Sequence, residues 1–131
     1  MMMRRRLLSA VLGSMLMAGV AQADTVTLGI TQIVEHPALD ASRQGALDEL
    51  AERGYVEGDN LRVSFENAQG DTSIAAQIAR KFAGDRPDLL LAISTPSSQS
   101  AAAAMSDIPI VFTAVTDPLL ARLVGDLEAP G

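Results

Sequence analysis

Short apolar runs alternate with longer amphipathic segments along this chain, and that alternation constrains the fold more than any other feature. Four apolar runs have the length and composition of strands, and a helical segment follows each one. The predicted strands cover residues 26–30, 61–65, 88–93 and 108–112. Strands that are separated by helices imply right-handed crossovers and a parallel sheet. The sequence therefore predicts an α/β fold of order β-α-β-α-β-α-β-α.

The helical segments carry apolar residues at helical spacing. In the second segment, Ile74, Ile78 and Phe82 fall four residues apart, as on one face of a helix. Pro37 suits the first turn of the first helix, and Gly54 suits the position after its last turn. The first helix, which is predicted over residues 37–53, has an apolar stripe of Leu39, Ala46, Leu47 and Leu50. The other predicted helices run from a cap at residues 71–73 to about residue 83, over 96–105 and over 119–127.

Ahead of the first strand, the N-terminus has the three parts of a secretory signal peptide. Residues 4–6 are arginines, residues 7–20 form an apolar run, and residues 21–23 read Ala-Gln-Ala. The apolar run is shorter than the roughly 20 residues that span a bilayer as a helix. A buried N-terminal helix or a membrane anchor is the alternative. We expect cleavage after Ala23, which leaves residues 24–131 as one mature domain without a membrane anchor.

The mature part is acidic and contains no cysteine. All 16 acidic residues follow residue 23, whereas three of the 10 basic residues precede it. This excess of negative charge argues against a nucleic-acid partner, because nothing offsets the repulsion of phosphates. Without cysteine there is no disulfide framework and no lipid acceptor at the cleavage site. We therefore expect a soluble periplasmic domain that a packed core stabilises.

Three loops are candidates for a binding site. In an open parallel sheet, ligands bind outside the carboxyl ends of the strands, at the switch point in strand order. This rule selects the loops after the first, third and fourth predicted strands, at residues 31–37, 94–99 and 113–118. All three loops are rich in hydroxyl, amide or carboxylate groups, so we expect a ligand site where they meet.

The loop after the third strand places hydroxyl side chains around the start of a helix. Helix N-termini present N–H groups without partners and a partial positive charge, and both favour anions. The hydroxyls of Ser94, Thr95, Ser97 and Ser98 would complete a neutral cradle for a carboxylate. Serine and threonine are also common N-caps. A capping role is therefore equally compatible with this pattern.

The other two loops carry candidate contacts that also have simpler explanations. His36, the one histidine, either helps to start the helix at Pro37 or is exposed, and without cysteine partners no metal site is expected. Glu35 is either a solvated carboxylate or a cleft residue. Asp117 is either a local cap of the next helix or a cleft residue, and Thr116 before it is the better candidate for ligand contact.

Sequence signatures of enzymes and nucleotide-binding proteins are missing. The chain has no G-x-x-x-x-G-K-[ST] loop, no G-x-G-x-x-G turn and no G-x-S-x-G elbow. The carboxylates form no recognisable acid–base pair. The sequence therefore predicts a binding protein without catalytic activity and without a cofactor.

Four segments, taken in order, resemble the ABC-transporter substrate-binding proteins that are related to the tryptophan-binding protein. They are ITQIVEHPALD at residues 30–40, Gly45-Ala46-Leu47 followed by Leu50 and Gly54-Tyr55, AISTPSSQ at 92–99 and IPIVFTAVTDP at 108–118. The likeness covers nearly the whole mature chain. It implies a type I periplasmic binding fold, whose first lobe is a three-layer, Rossmann-like parallel sheet with flavodoxin-like strand order.

The resemblance also implies a function. It implies an amino acid, often aromatic or hydrophobic, or a similar small carboxylate as the ligand, and an ABC permease with its ATPase as partners. The loops that face the cleft in the family correspond here to Gln32, Glu35, His36, Thr95, Ser97, Thr116 and Asp117.

The chain stops where a first lobe would hand over to a second. The resemblance therefore implies a truncated or partial chain, which alone should bind ligand weakly or not at all. A periplasmic sensing module of the same fold that acts on a receptor is the alternative. A small exported α/β enzyme is a more distant one.

Overall fold

In the computed structural model, which describes residues 24–131, a four-stranded sheet is covered by three helices. The strands are β1 (Val26–Gln32), β2 (Leu61–Asn67), β3 (Leu89–Ile93) and β4 (Ile110–Thr113). The helices are α1 (Pro37–Glu52), α2 (Thr72–Asp85) and α3 (Thr95–Ala104). The predicted signal peptide at residues 1–23 lies outside the described residues.

All strand pairs are parallel, and the strand order is β2-β1-β3-β4. The chain moves from β1 outward to β2, then crosses back over β1 to β3 and continues to β4. The switch point therefore lies between β1 and β3. This arrangement confirms the predicted α/β, Rossmann-like sheet with flavodoxin-like order.

Alternating side chains of the strands build one core on each face of the sheet. Leu28 and Ile30 of β1 belong to the core under α1, to which α1 contributes the partly buried Leu47 and Leu50. The opposite core lies under α2 and α3 and includes Ala75, Ile78, Ala79, Phe82, Leu90, Ala92 and Ala101. The domain consequently has three layers, with α1 on one side of the sheet and α2 and α3 on the other.

Gly29 of β1 lies where α2 approaches the sheet most closely. A Cβ atom at this position would lie 2.8 Å from Leu90 Cδ1 and 2.9 Å from two ring carbons of Phe82. Those distances are shorter than any ordinary carbon–carbon contact. The second helix can therefore pack here only because residue 29 has no side chain.

The predicted starts of α1 and α2 are confirmed by their side-chain caps. His36 Nδ1 accepts a hydrogen bond from the backbone N–H of Ala38 at 3.2 Å, with Pro37 in the first turn of α1. Asp71 Oδ1 accepts from the backbone N–H groups of Ser73 and Ile74 at 2.7 and 3.2 Å at the start of α2. These side chains satisfy N–H groups that have no partner inside the helix.

The prediction of a helix over residues 119–127 is wrong. Residues 118–122 form turns, and the following residues have no regular secondary structure. The N–H of Ala121 does reach the carbonyl of Asp117 at 3.0 Å, which closes one helical turn. Arg122 then adopts a left-handed φ of 60°, a conformation in which an L-residue does not continue a helix.

The strand bounds also differ from the prediction: β3 begins one residue later, at Leu89, and β4 covers Ile110–Thr113 instead of residues 108–112. β1 and β2 each extend two residues beyond their predicted ends, to Gln32 and Asn67. Thr31 and Gln32 are therefore strand residues and not loop residues. No helix among residues 24–131 is long and apolar enough to cross a membrane.

Candidate functional site

The carboxyl ends of the four strands form one row. Gln32 of β1 is in register with Asn67 of β2 and with Ile93 of β3, and Ile93 is in register with Thr113 of β4. The segments that follow the strands therefore emerge along a single edge of the sheet. The structure brings all seven predicted contact residues to this edge: Gln32 ends β1, Glu35 and His36 lie on the β1–α1 loop, Thr95 and Ser97 start α3, and Thr116 and Asp117 follow β4.

The N-terminus of α3 differs from those of α1 and α2 because no side chain caps it. Ser98 N–H makes the first backbone bond of the helix, to the carbonyl of Ser94 at 3.0 Å. Pro96 has no N–H group. Within residues 24–131, the N–H groups of Thr95 and Ser97 have no acceptor. The capping role that the sequence left open for this loop is therefore not what the structure shows.

Three buried hydroxyl groups lie near the carboxyl ends of β1 and β3, on Thr31, Ser94 and Ser97. The Oγ atoms of Ser94 and Ser97 and the Oγ1 atom of Thr31 have no hydrogen-bond partner among the described residues. Ser97 is 0% exposed and Thr31 is 1% exposed. Buried hydroxyls in native proteins are almost always hydrogen-bonded to protein, water or ligand. Three such groups together indicate polar groups that a bound molecule can satisfy.

Three of the five non-glycine residues with positive φ among residues 24–131 follow strand ends at this edge. Ser94 has φ 91° and ψ 161°, a region that is essentially restricted to glycine. Gln69 after β2 and Ala114 after β4 also have positive φ values of 55° and 56°. Non-glycine residues hold such conformations only where the surroundings enforce them, and these positions cluster at binding and active sites.

The side chain of Gln32 is fully buried, and its amide is directed into the domain. Nε2 donates to the carbonyl of Val34 at 2.8 Å and to Asp40 Oδ1 at 2.7 Å. Oε1 accepts from Arg43 at 3.0 Å. Both amide hydrogens are therefore used inside the domain. Gln32 lies at the predicted edge, but its donors hold the β1–α1 loop.

The remaining predicted contacts are exposed or partly exposed. Glu35 and His36 are exposed on the β1–α1 loop, with Nδ1 of His36 engaged as the cap of α1. Thr116 is exposed, and the Asp117 carboxylate accepts from the N–H of Leu120 at 2.9 Å. This bond is the local capping that the sequence offered as an alternative for Asp117. Thr95, at the start of α3, is half-buried.

The start of α3 carries no charged side chain, so its charge is that of the helix terminus itself. The first turn of α3 has no acidic residue, and its side chains are those of Thr95, Pro96 and Ser97. Residues 24–131 hold no cluster of three or more potential metal ligands. Hydroxyls and free N–H groups at the positive end of a helix can bind the oxygens of a small anionic group without a metal or a basic side chain.

The carboxylates with perturbed pKa values lie outside this site. Asp88, which precedes β3 at the opposite end of the sheet, accepts hydrogen bonds from the backbone N–H and from the hydroxyl of Thr27, and these lower its pKa. A hydrogen bond and charge attraction from Arg86 lower the pKa of Asp107. These shifts therefore reflect structural contacts that hold the fold.

Cavities elsewhere on the surface have a different character. A groove of about 530 Å³ between α2 and α3 is lined by Ala76, Arg80, Gln99, Ser100, Ala103 and Ala104. An apolar cavity of about 210 Å³ lies below the amino ends of the strands and includes Leu28, Leu50 and Tyr55. Neither contains the buried hydroxyls of the carboxyl edge, which we therefore take as the candidate site.

Two residues of this site were not among the predicted contacts. Thr31 is in register with Ala92, a core residue under α2 and α3. Its side chain therefore lies on the face of the sheet that α2 and α3 cover. The sequence could have shown this, because side chains alternate along a strand. Residues 29 and 31 therefore face away from the side on which Leu28 and Ile30 lie. Ser94 was recognised as part of the cradle, but its positive φ has no signature in a serine.

Comparisons with known proteins give a consistent result. Residues 27–131 match the family model described as ABC transporter substrate binding protein. A protein named tyrosine-binding protein, from Clostridioides difficile strain R20291, is 52% identical over 104 residues. That match covers 79% of this chain and 30% of the relative.

Solved structures of similar proteins agree with the described fold. The crystal structure of a conserved domain protein from Vibrio cholerae O1 biovar El Tor strain N16961 has a TM-score of 0.81 and 56% identity to this chain. An ABC domain in complex with L-Trp from Streptococcus pneumoniae has a TM-score of 0.78 and 39% identity. Each comparison covers 82% of this chain and 36% of the other. The chain thus spans about a third of the length of the relatives it matches.

Proposed function

Because the chain belongs to the family of ABC transporter substrate-binding proteins, we propose that it forms the first lobe of a periplasmic binding protein for an amino acid. In this proposal, the carboxyl edge of the sheet is one wall of the ligand cleft. The start of α3 holds the carboxylate of the ligand. The relatives are substrate-binding proteins and not enzymes, so the lobe binds and releases its ligand unchanged.

The observation that carries this proposal is the uncapped N-terminus of α3. A carboxylate accepts hydrogen bonds and donates none. The N–H groups of Thr95 and Ser97 and the hydroxyls of Thr31, Ser94 and Ser97 have no partners among residues 24–131. A carboxylate, directly or through one ordered water, would satisfy these groups and lie at the positive end of the helix.

The relatives support an aromatic amino acid as the ligand class. One relative is named for tyrosine, and a related domain was solved in complex with L-Trp. We assign carboxylate contact to Thr95 and Ser97. The mouth of the cleft is assigned to Glu35, His36, Thr116 and Asp117, and Gln32 supports the loop beside it. Direct contact between Gln32 and ligand remains a prediction.

The proposal includes a cellular setting. Residues 1–23 direct export and are removed, and the mature protein acts in the periplasm. The closed, ligand-bound protein delivers its ligand to a membrane permease that an ATPase drives. Other members of the family act outside the cytoplasm, and the signal-peptide pattern of the sequence supports the same location here.

A lobe exchange tests ligand class and carboxylate recognition together. Residues 27–131 replace the matching segment of the Vibrio cholerae protein, which is 56% identical, and ligand binding is measured by calorimetry. We expect binding of L-tryptophan or L-tyrosine and loss of binding for L-tryptophanamide and tryptamine, which lack the carboxylate. Equal affinity for the amide and the acid would refute carboxylate recognition.

The isolated mature chain is the natural control. Residues 24–131 alone should give no measurable heat with micromolar amino acids, because one wall of a cleft supplies only part of the contacts. Tight binding by the chain alone would contradict the assignment of a half-site.

A further inference from the structure

Arg43 on α1 joins three elements of the domain at the carboxyl edge. Its guanidinium donates to Gln32 Oε1 on β1 at 3.0 Å and lies 3.6 Å from Asp40 Oδ1. The same group stacks 4.0 Å from the ring centre of Phe65 on β2. The Arg43 side chain is only 24% exposed, compared with 71% for Arg53 on the same helix.

We propose that Arg43 is a positioning residue, which acts through Gln32 to hold the β1–α1 loop in the shape that receives ligand. The inference rests on the proposed function, in which this loop lines the cleft. The juxtaposition that carries it is a half-buried guanidinium placed between an aromatic ring and a fully buried amide.

Hydrogen bonds fix the orientation of the Gln32 amide. Both Nε2 hydrogens are donated, to the carbonyl of Val34 and to the carboxylate of Asp40. A flipped amide would turn its oxygen toward these two acceptors and its NH₂ group toward the Arg43 guanidinium. Arg43 provides donors only. Its contact with Oε1 therefore selects the one orientation in which the loop carbonyl of Val34 is held.

The β1–α1 loop is held at three points. The carbonyl of Ile33 accepts from the N–H of Gly70 at 2.6 Å, the carbonyl of Val34 accepts from Gln32, and His36 caps α1. Glu35 lies between the second and third points. Release of the Val34 carbonyl would free the part of the loop that carries the proposed mouth residues.

The contacts of Arg43 differ from those of an arginine in an ordinary surface ion pair. Its 3.6 Å approach to Asp40 is too long to be a strong hydrogen bond, and exposed pairs of this kind contribute little. The bond to the buried amide and the ring stacking both use the planar guanidinium. Lysine has no planar group, so Arg43→Lys is not a conservative change here.

Nuclear magnetic resonance of the full chain, with its variants, provides the first test. In the wild-type protein, the two side-chain NH₂ protons of Gln32 should exchange slowly with water, and the amides of residues 33–36 should be rigid. Arg43→Met should speed the side-chain exchange and increase the mobility of this loop. Arg43→Lys should also exchange faster and have a more mobile loop than the wild-type protein. Arg53→Met, on the exposed part of the same helix, is the matched control and should change neither.

Affinity for L-tryptophan in the exchanged two-lobe protein provides the second test. Arg43→Met should weaken binding roughly tenfold, because a loop that holds the binding shape only about one tenth of the time lowers the apparent affinity by that factor. In a Gln32→Ala background, the same change should add little, because the two residues act as one unit. A structural role in packing alone would make the two effects additive.

The outcomes separate this inference from the proposed function. If the wild-type two-lobe protein binds no amino acid, the proposed function fails. If it binds, and Arg43→Met leaves both affinity and loop mobility at wild-type values, the positioning role of Arg43 is refuted and the proposed function stands. Additive effects of the Arg43 and Gln32 changes would also refute the positioning role.

Discussion

The backbone N–H of Ser94 donates to the carbonyl oxygen of Thr113 at 2.9 Å, so the first residue after β3 is tied to the last residue of β4. Ser98 binds Ser94 as well, since both its N–H and its hydroxyl donate to the Ser94 carbonyl, at 3.0 and 2.7 Å. These bonds hold Ser94 in its strained conformation while its own hydroxyl has no partner among the described residues.

Ser94→Gly should stabilise the folded chain. The conformation of Ser94 costs about 1–3 kcal/mol in a non-glycine residue. The greater flexibility of glycine in the unfolded state costs about 0.5–1 kcal/mol. We expect a net gain of about 1 kcal/mol in the free energy of unfolding, measured by denaturant titration. Ser94→Ala removes the hydroxyl but keeps the strain, and Ser94→Gly should be the more stable of the two. The reverse order would argue against stored strain.

Gly29→Ala should destabilise the domain, because the added methyl group meets Leu90 and Phe82 at 2.8–2.9 Å. Overpacking of this kind costs about 1–3 kcal/mol. Gly45→Ala is the matched control, since a Cβ at Gly45 on α1 meets nothing within 4 Å. There alanine should stabilise by about 0.5–1 kcal/mol through its higher helix propensity. Thermal unfolding of both variants measures the contrast, and similar effects of the two changes would contradict the proposed close approach of α2.

The contact between Asp88 and Thr27 should make stability depend on pH. Hydrogen bonds from the Thr27 backbone N–H and hydroxyl lower the pKa of Asp88 below its ordinary 3.8. The contact therefore contributes fully above pH 3.8, and its contribution declines as pH falls through the lower folded-state pKa. Asp88→Asn should be less stable than wild type near pH 7, with a smaller difference at about pH 3. Asp59→Asn is an exposed control, and a gap that does not narrow in acid would contradict the assignment.

The architecture was predictable because it depends on patterns that short segments carry. The spacing of Ile74, Ile78 and Phe82 identified the buried face of α2, and only Ile74 is not fully buried. Pro37, Gly54 and Asp71 marked helix ends through their own backbone preferences. By contrast, the predicted helix after Pro118 failed because it depends on the conformation of Arg122, which no local pattern specifies.

The site was predictable in place but not in detail. Strand ends and hydroxyl-rich loops pointed to the edge where the structure has the uncapped start of α3 and the buried hydroxyls. The inward direction of the Gln32 amide depends on Asp40 and Arg43, which lie eight and eleven residues further along the chain. The strain at Ser94 depends on Thr113 of a neighbouring strand. Such contacts exist only after the sheet has formed, and a single sequence does not display them.

The central proposal is that the hydroxyls near the start of α3 bind the ligand. Calorimetry with L-tryptophan on the two-lobe protein, with Thr31→Val and Ser97→Ala made separately, tests that claim most directly. Each change removes a buried hydroxyl that has no partner in residues 24–131, so folding stability should not fall. Affinity should drop by about 0.5–1.5 kcal/mol for each lost hydrogen bond. Ser42→Ala on α1, which removes a hydroxyl that donates to the carbonyl of Ala38, should leave affinity unchanged. Wild-type affinity in both site variants would contradict the account.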